Sequence, residues 1–104
     1  MRTLKFIVNG QIIKQDPHCD FSGLVPGTEG YLWAEFTFSK EWENTPRVAA
    51  FYSRLGQEYP PQVLMNGRSC LITAEALRKR IFKVQVIGKN GLVTNRFEID
   101  QKGG

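Results

Sequence analysis

Ile81-Phe82-Lys83-Val84-Gln85-Val86-Ile87, Gly88-Lys89-Asn90-Gly91 and Leu92-Val93-Thr94-Asn95-Arg96-Phe97-Glu98-Ile99 read as two β-prone runs joined across a turn. Asn-Gly suits the tight turn of a hairpin because both of its central residues tolerate positive φ. The same dipeptide recurs twice more between apolar runs. Asn9-Gly10 joins Thr3–Val8 to Gln11–Gln15, and Asn66-Gly67 joins Gln62–Met65 to Arg68–Ile72. Three hairpins, and so six strands, are predicted from these turns.

Two more strands lie between the hairpins. Tyr31–Phe38 alternates Leu32, Ala34, Phe36 and Phe38 with Tyr31, Trp33, Glu35 and Thr37, a period of two that turns the first set inward. Arg47–Ser53 reads as the next strand, and the polar link before it holds Trp42, whose ring is expected to cover an open end of the core. Residues 16–30 are rich in Pro and Gly, which predicts a long, mobile surface connection. One short helix is predicted at Ala74–Lys79, with Thr73 as N-cap and Arg78 and Lys79 at the dipole's negative end. No strand is followed by a full crossover helix, which excludes a parallel α/β fold. The expectation is an all-β, immunoglobulin-like antiparallel sandwich of about eight strands, with a small barrel as the alternative. One domain spans 1–104: a hairpin at 1–15, the connection at 16–30, the main sandwich at 31–101 and a loose tail at 102–104.

The 104 residues carry a formal charge of +4, concentrated after Pro60 in Arg68, Arg78, Lys79, Arg80, Lys83, Lys89, Arg96 and Lys102. Arg78, Lys79, Arg80 and Lys83 form the densest group, able to meet phosphates or an acidic protein. Fingerprints of the common nucleic-acid modules are missing, so a protein partner is preferred to nucleic acid. Trp33, Tyr52 and Tyr59, with Tyr31, are the aromatic candidates for stacking a ligand on the solvent side of a sheet.

Candidates for catalysis are few. His18 is the only histidine, and in an extended segment its neighbour Cys19 points to the opposite face. Two cysteines and one histidine lack zinc-site spacing, so neither metal nor cofactor is expected. Glu35, Glu41 and Glu43 are read as turn charges, and Gly23, Gly27 and Gly30 as turn glycines. Cys19 and Cys70 are expected to be free thiols. No apolar run is long enough to span a membrane, and polar residues interrupt the start too early for a signal-peptide core. The chain reads as non-enzymatic.

The order of features resembles a tail or baseplate β-sandwich module of phages and prophages of Gram-positive bacteria. The resemblance rests on Leu32-Trp33-Ala34-Glu35-Phe36-Thr37-Phe38-Ser39-Lys40-Glu41-Trp42, followed by Arg47-Val48-Ala49-Ala50-Phe51-Tyr52. It continues through Ser69-Cys70-Leu71-Ile72, Val84-Gln85-Val86-Ile87-Gly88 and Val93-Thr94-Asn95-Arg96-Phe97. It implies a structural or adhesion module, made in the host cytoplasm and carried on the virion. Its partners would be other tail subunits, a second copy or a host-surface glycan. The alternative is a small inhibitor of a host protein that binds through the basic surface. No catalytic residues come with the resemblance.

Overall fold

A computed structural model of the chain describes residues 2–27 and 29–102. Positions 103 and 104 of the expected tail lie outside them. Strands β1 (Arg2–Asn9), β2 (Ile12–Gln15), β3 (Leu32–Phe38) and β6 (Ser69–Leu71) form one sheet, in the order β2-β1-β3-β6. Strands β4 (Arg47–Ser53), β5 (Gln62–Val63), β7 (Ile81–Gly88) and β8 (Phe97–Asp100) form the other, in the order β5-β4-β7-β8. The fold is an open sandwich of two four-stranded sheets, as the strand pattern predicts.

Alternation sets the core. Leu4, Phe6 and Val8 of β1 and Leu32, Ala34 and Phe36 of β3 face Ala49 and Phe51 of β4 and Phe82, Val84 and Val86 of β7. Phe6 and Phe36 stack with centroids 5.2 Å apart, and Phe21 and Phe97 meet Phe6 edge-on. Phe38, expected inward, is half-buried at the rim of this core.

Two of the three predicted hairpins form, β1 with β2 and β7 with β8, and each Asn-Gly turn differs from expectation in its geometry or in where its flanks go. In the first, Asn9 pairs with Ile12, so the two-residue loop is Gly10-Gln11 and only Gly10 has positive φ (59°). That sign pattern fits a type II′ turn, which requires glycine first. In the second, Asn66 and Gly67 do take positive φ (53° and 69°), but the flanking strands part company. β5 joins β4 in one sheet and β6 joins β3 in the other, leaving only a Met65–Ser69 bridge. The turn is therefore a corner between sheets. In the third, Gly91 N–H donates to Gly88 O and only Gly91 has positive φ (90°), giving a three-residue loop closed by a left-handed glycine.

Sheet pairing holds a further surprise. β1 and β3 run parallel over seven residue pairs, Arg2 with Leu32 through Val8 with Phe38, while the other five strand pairs are antiparallel. The connection of residues 16–30 makes this possible by carrying the chain back to the starting end of β1. Its backbone is anchored on the way: Arg2 donates to Asp20 O (2.8 Å) and Ser22 O (2.5 Å), Leu24 is buried in the core, and Gly27 N–H meets Leu77 O at 2.6 Å.

The helix α1 (Ala74–Leu77) is one turn long. Thr73 occupies the N-cap position, but its hydroxyl makes no capping bond and is buried without a partner. At the other end, buried Gln101 donates through Nε2 to Leu77 O (3.1 Å) and Lys79 O (2.8 Å). Those bonds satisfy carbonyls that a helix end leaves free.

Candidate functional site

The outer face of β5-β4-β7-β8 follows from register. Ala49 and Val86 point into the core, so their neighbours Val48 and Ile87 point out. Val48 lies opposite both Val63 and Ile87, and Ile87 is bridged to Val93. Val63, Val48, Ile87 and Val93 thus form one aliphatic row across β5, β4, β7 and the segment that precedes β8. Val63 is 76% exposed and Val93 39% exposed. Pro46, Val48, Val63, Leu64 and Ile87, with the backbone of Gly67 and Gly88, line a shallow concavity of about 650 Å³ at this row, with Lys89 at its rim.

The floor of the concavity is densely hydrogen-bonded. Arg47 donates to Thr45 O (3.0 Å), Gly67 O (3.1 Å) and Trp42 O (2.7 Å), and its guanidinium lies 4.1 Å from the centre of the Phe38 ring. Partial burial lowers the Arg47 pKa from its ordinary value. Trp42, fully buried in a single 3-10 turn (Lys40–Trp42), donates through Nε1 to Gly10 O at 2.7 Å. Its ring covers the end of the core, as its place between the strands suggests.

The seven residues that sequence reasoning proposed for partner binding fall in separate places. Trp33 lies on the outer face of the other sheet, opposite Thr3 and Leu71, with its indole N–H buried and unpartnered. Tyr52 does point outward on β4, but it is buried: Arg96 stacks 3.6 Å from its ring centre and its hydroxyl bonds Gln85 Oε1 at 2.8 Å. Lys83 stands opposite Tyr52 on one side and Glu98 on the other. Tyr59 packs into the core.

The basic group is also divided. Arg78 pairs with Glu29 at 3.2 Å, and Arg80 grips Asp100 at 2.9 and 3.3 Å. The bond from Arg80 lowers the Asp100 pKa, and the same bond raises that of Arg80. Lys79 and Arg80 do meet Arg54 around a hollow of about 480 Å³ whose lining includes Tyr59, Ile81 and Leu55. Leu55 is 95% exposed there. Arg54 was not singled out by sequence reasoning, because only the fold brings it to Lys79.

Cys19 and His18 sit side by side in the connection between β2 and β3. Cys19 Sγ accepts from Lys5 N–H at 3.4 Å, while the backbone N–H of His18 bonds Asp16 Oδ1 at 2.9 Å. Both cysteines are free thiols, and burial pushes the Cys70 thiol up to about 12. No helix among the described residues is long and apolar enough to cross a membrane. No protein-family model matches the chain, and no curated protein or solved structure matches it.

Proposed function

We propose that this chain is a non-catalytic protein-binding module of a phage or prophage tail, which packs the outer face of β5-β4-β7-β8 against a neighbouring tail subunit. One observation carries the reading: the aliphatic row Val63, Val48, Ile87 and Val93 runs unbroken across four segments on a face that would otherwise be solvated. Contiguous apolar surface rimmed by polar groups marks a protein contact more often than an idle surface. The Arg47 and Trp42 scaffold beneath it holds the row in one shape, which lowers the ordering cost of binding. The sequence resemblance to tail modules points the same way.

Co-expression with tail subunits of phages of Gram-positive bacteria tests the reading. Val63→Lys with Val93→Lys should weaken capture of the partner at least tenfold while leaving the unfolding midpoint nearly unchanged, since both side chains are largely outside the core. Undiminished capture by that double variant overturns it. The second reading, an inhibitor that binds an acidic host protein, is favoured by the hollow where Arg54, Lys79 and Arg80 converge. Loss of binding in Arg54→Glu with Lys79→Glu, and not in the valine variant, would transfer the function to that hollow.

A further inference from the structure

The lateral seam between β2 and β8 is closed over half its length and open over the rest. In the closed half, Asn95 acts as a side-chain rung: its Oδ1 accepts from Ile13 N–H at 2.8 Å and its backbone N–H donates to Gln11 O at 3.1 Å. In the open half, a groove of about 390 Å³ runs between the free edge of β8 and the segment Phe21–Leu24, with Gln15 beside it and Lys102 at its end.

Hydrogen-bond alternation fixes what faces that groove. Gln101 N–H donates to Arg80 O, and the β7–β8 register continues through Ile99 with Phe82 and Phe97 with Val84. In an antiparallel ladder alternate residues bond the same neighbour. Phe97, Ile99 and Gln101 therefore bond β7, and the backbone N–H and C=O of Glu98 and Asp100 point outward. Among the described residues no backbone hydrogen bond joins Phe21–Leu24 to β8. That segment is tied instead to Arg2, through Ser22 O. The groove is thus walled on one side by unused ladder groups, the ordinary template for an added strand.

We infer that β8 accepts an extended segment of a partner protein as a fifth strand of this sheet, and that the segment alternates apolar and basic residues. On the inner side, the added strand would set its apolar residues beside Phe97 and Ile99, against Phe21 and Leu24. On the outer side its residues would stand across from Asp100, which Arg80 already holds, and from Glu98, which makes no ion pair among the described residues and so supplies the acidic partner. A second copy of this chain fits poorly in the register centred on Ile99. Antiparallel pairing of β8 with itself about Ile99 sets Glu98 against Asp100 of the other copy, and like charges directly opposite are destabilising. This contact is distinct from the outer-face contact and does not depend on it.

The probe is the capped peptide acetyl-Val-Lys-Val-Lys-Val-amide, titrated into the isotopically labelled chain and followed by amide NMR. The expected result is saturable shifts at the amides of Glu98, Asp100 and the Phe21–Leu24 segment, with binding weakened at least tenfold when alternate peptide nitrogens are methylated. Glu98→Pro, which removes an outward N–H and leaves the β7 ladder intact, should have the same effect on the unmodified peptide. Equal binding by the methylated peptide, shifts scattered over other acidic side chains, or no shift at all overturns the inference. Because the methylated peptide needs no change to the protein, the test stands whether or not Glu98→Pro folds. Val63→Lys with Val93→Lys should leave peptide binding unchanged, which separates this result from that of the outer face.

Discussion

At Gly88 the packing leaves no room for a side chain. A Cβ there would lie 2.8 Å from Asn90 Oδ1, 3.0 Å from the Trp42 ring and 3.1 Å from the Thr45 methyl. Gly88→Ala is expected to cost about 1–3 kcal/mol, the range for forcing a methyl into a packed site, and urea unfolding measures it. Cys70 gives a second residue-level expectation. Burial raises its thiol from 9.0 to about 12 in the fold, so between those values the unfolded chain releases a proton that the folded chain keeps. Its stability contribution is whole below pH 9 and is lost as pH rises toward 12. Cys70→Ala should therefore flatten the alkaline fall in stability, as read by unfolding midpoints of both proteins from pH 8 to 11. The remaining alkaline titrations are common to both proteins and cancel in the comparison.

Between elements, the sheets are tied on both flanks, by the Asn66-Gly67 corner at β5 and β6 and by Asn95 between β8 and β2. Asn95→Leu leaves the Ile13 N–H without its acceptor, which is expected to cost about 1–3 kcal/mol. Hydrogen exchange at Ile13 should quicken more than at Phe6, whose strand lies inside the sheet. Thr94 supports the same seam: its hydroxyl accepts from Val86 N–H at 3.0 Å and donates to Asn95 O at 2.8 Å. The extra residue it accommodates shows in the register, which passes from Ile87 opposite Val93 to Val84 opposite Phe97. Three residues on one strand thus answer four on the other, and the predicted Leu92–Ile99 strand shortens to Phe97–Asp100.

For the molecule as a whole, strand existence was legible in sequence, and so was the pairing within two of the three hairpins, β1 with β2 and β7 with β8, while the partners of β3, β4, β5 and β6 were not. The period-two run Tyr31–Phe38 located β3 to within a residue, because its inward and outward neighbours differ in polarity, and the run Arg47–Ser53 located β4. The Asn66-Gly67 pair signals a turn but carries no information on which sheet each flank will join, since that depends on β3 and β4 being adjacent to it in space. The aliphatic row was hidden for a related reason. Val48 and Ile87 look like ordinary strand residues until their phase against Ala49 and Val86 shows that they face outward. The double valine variant tests that face without touching the interior, which is why its capture and its stability should come apart.

The parallel pairing of β1 with β3 also sets an order in time. Each of its seven pairs joins residues 30 positions apart, from Arg2 with Leu32 to Val8 with Phe38. The β1–β2 hairpin can close locally, but it has nothing to dock on until β3 exists and the intervening chain has looped back. Ribosomal synthesis delivers the hairpin before its partner, so Leu4, Phe6 and Val8 must wait uncovered until β3 emerges.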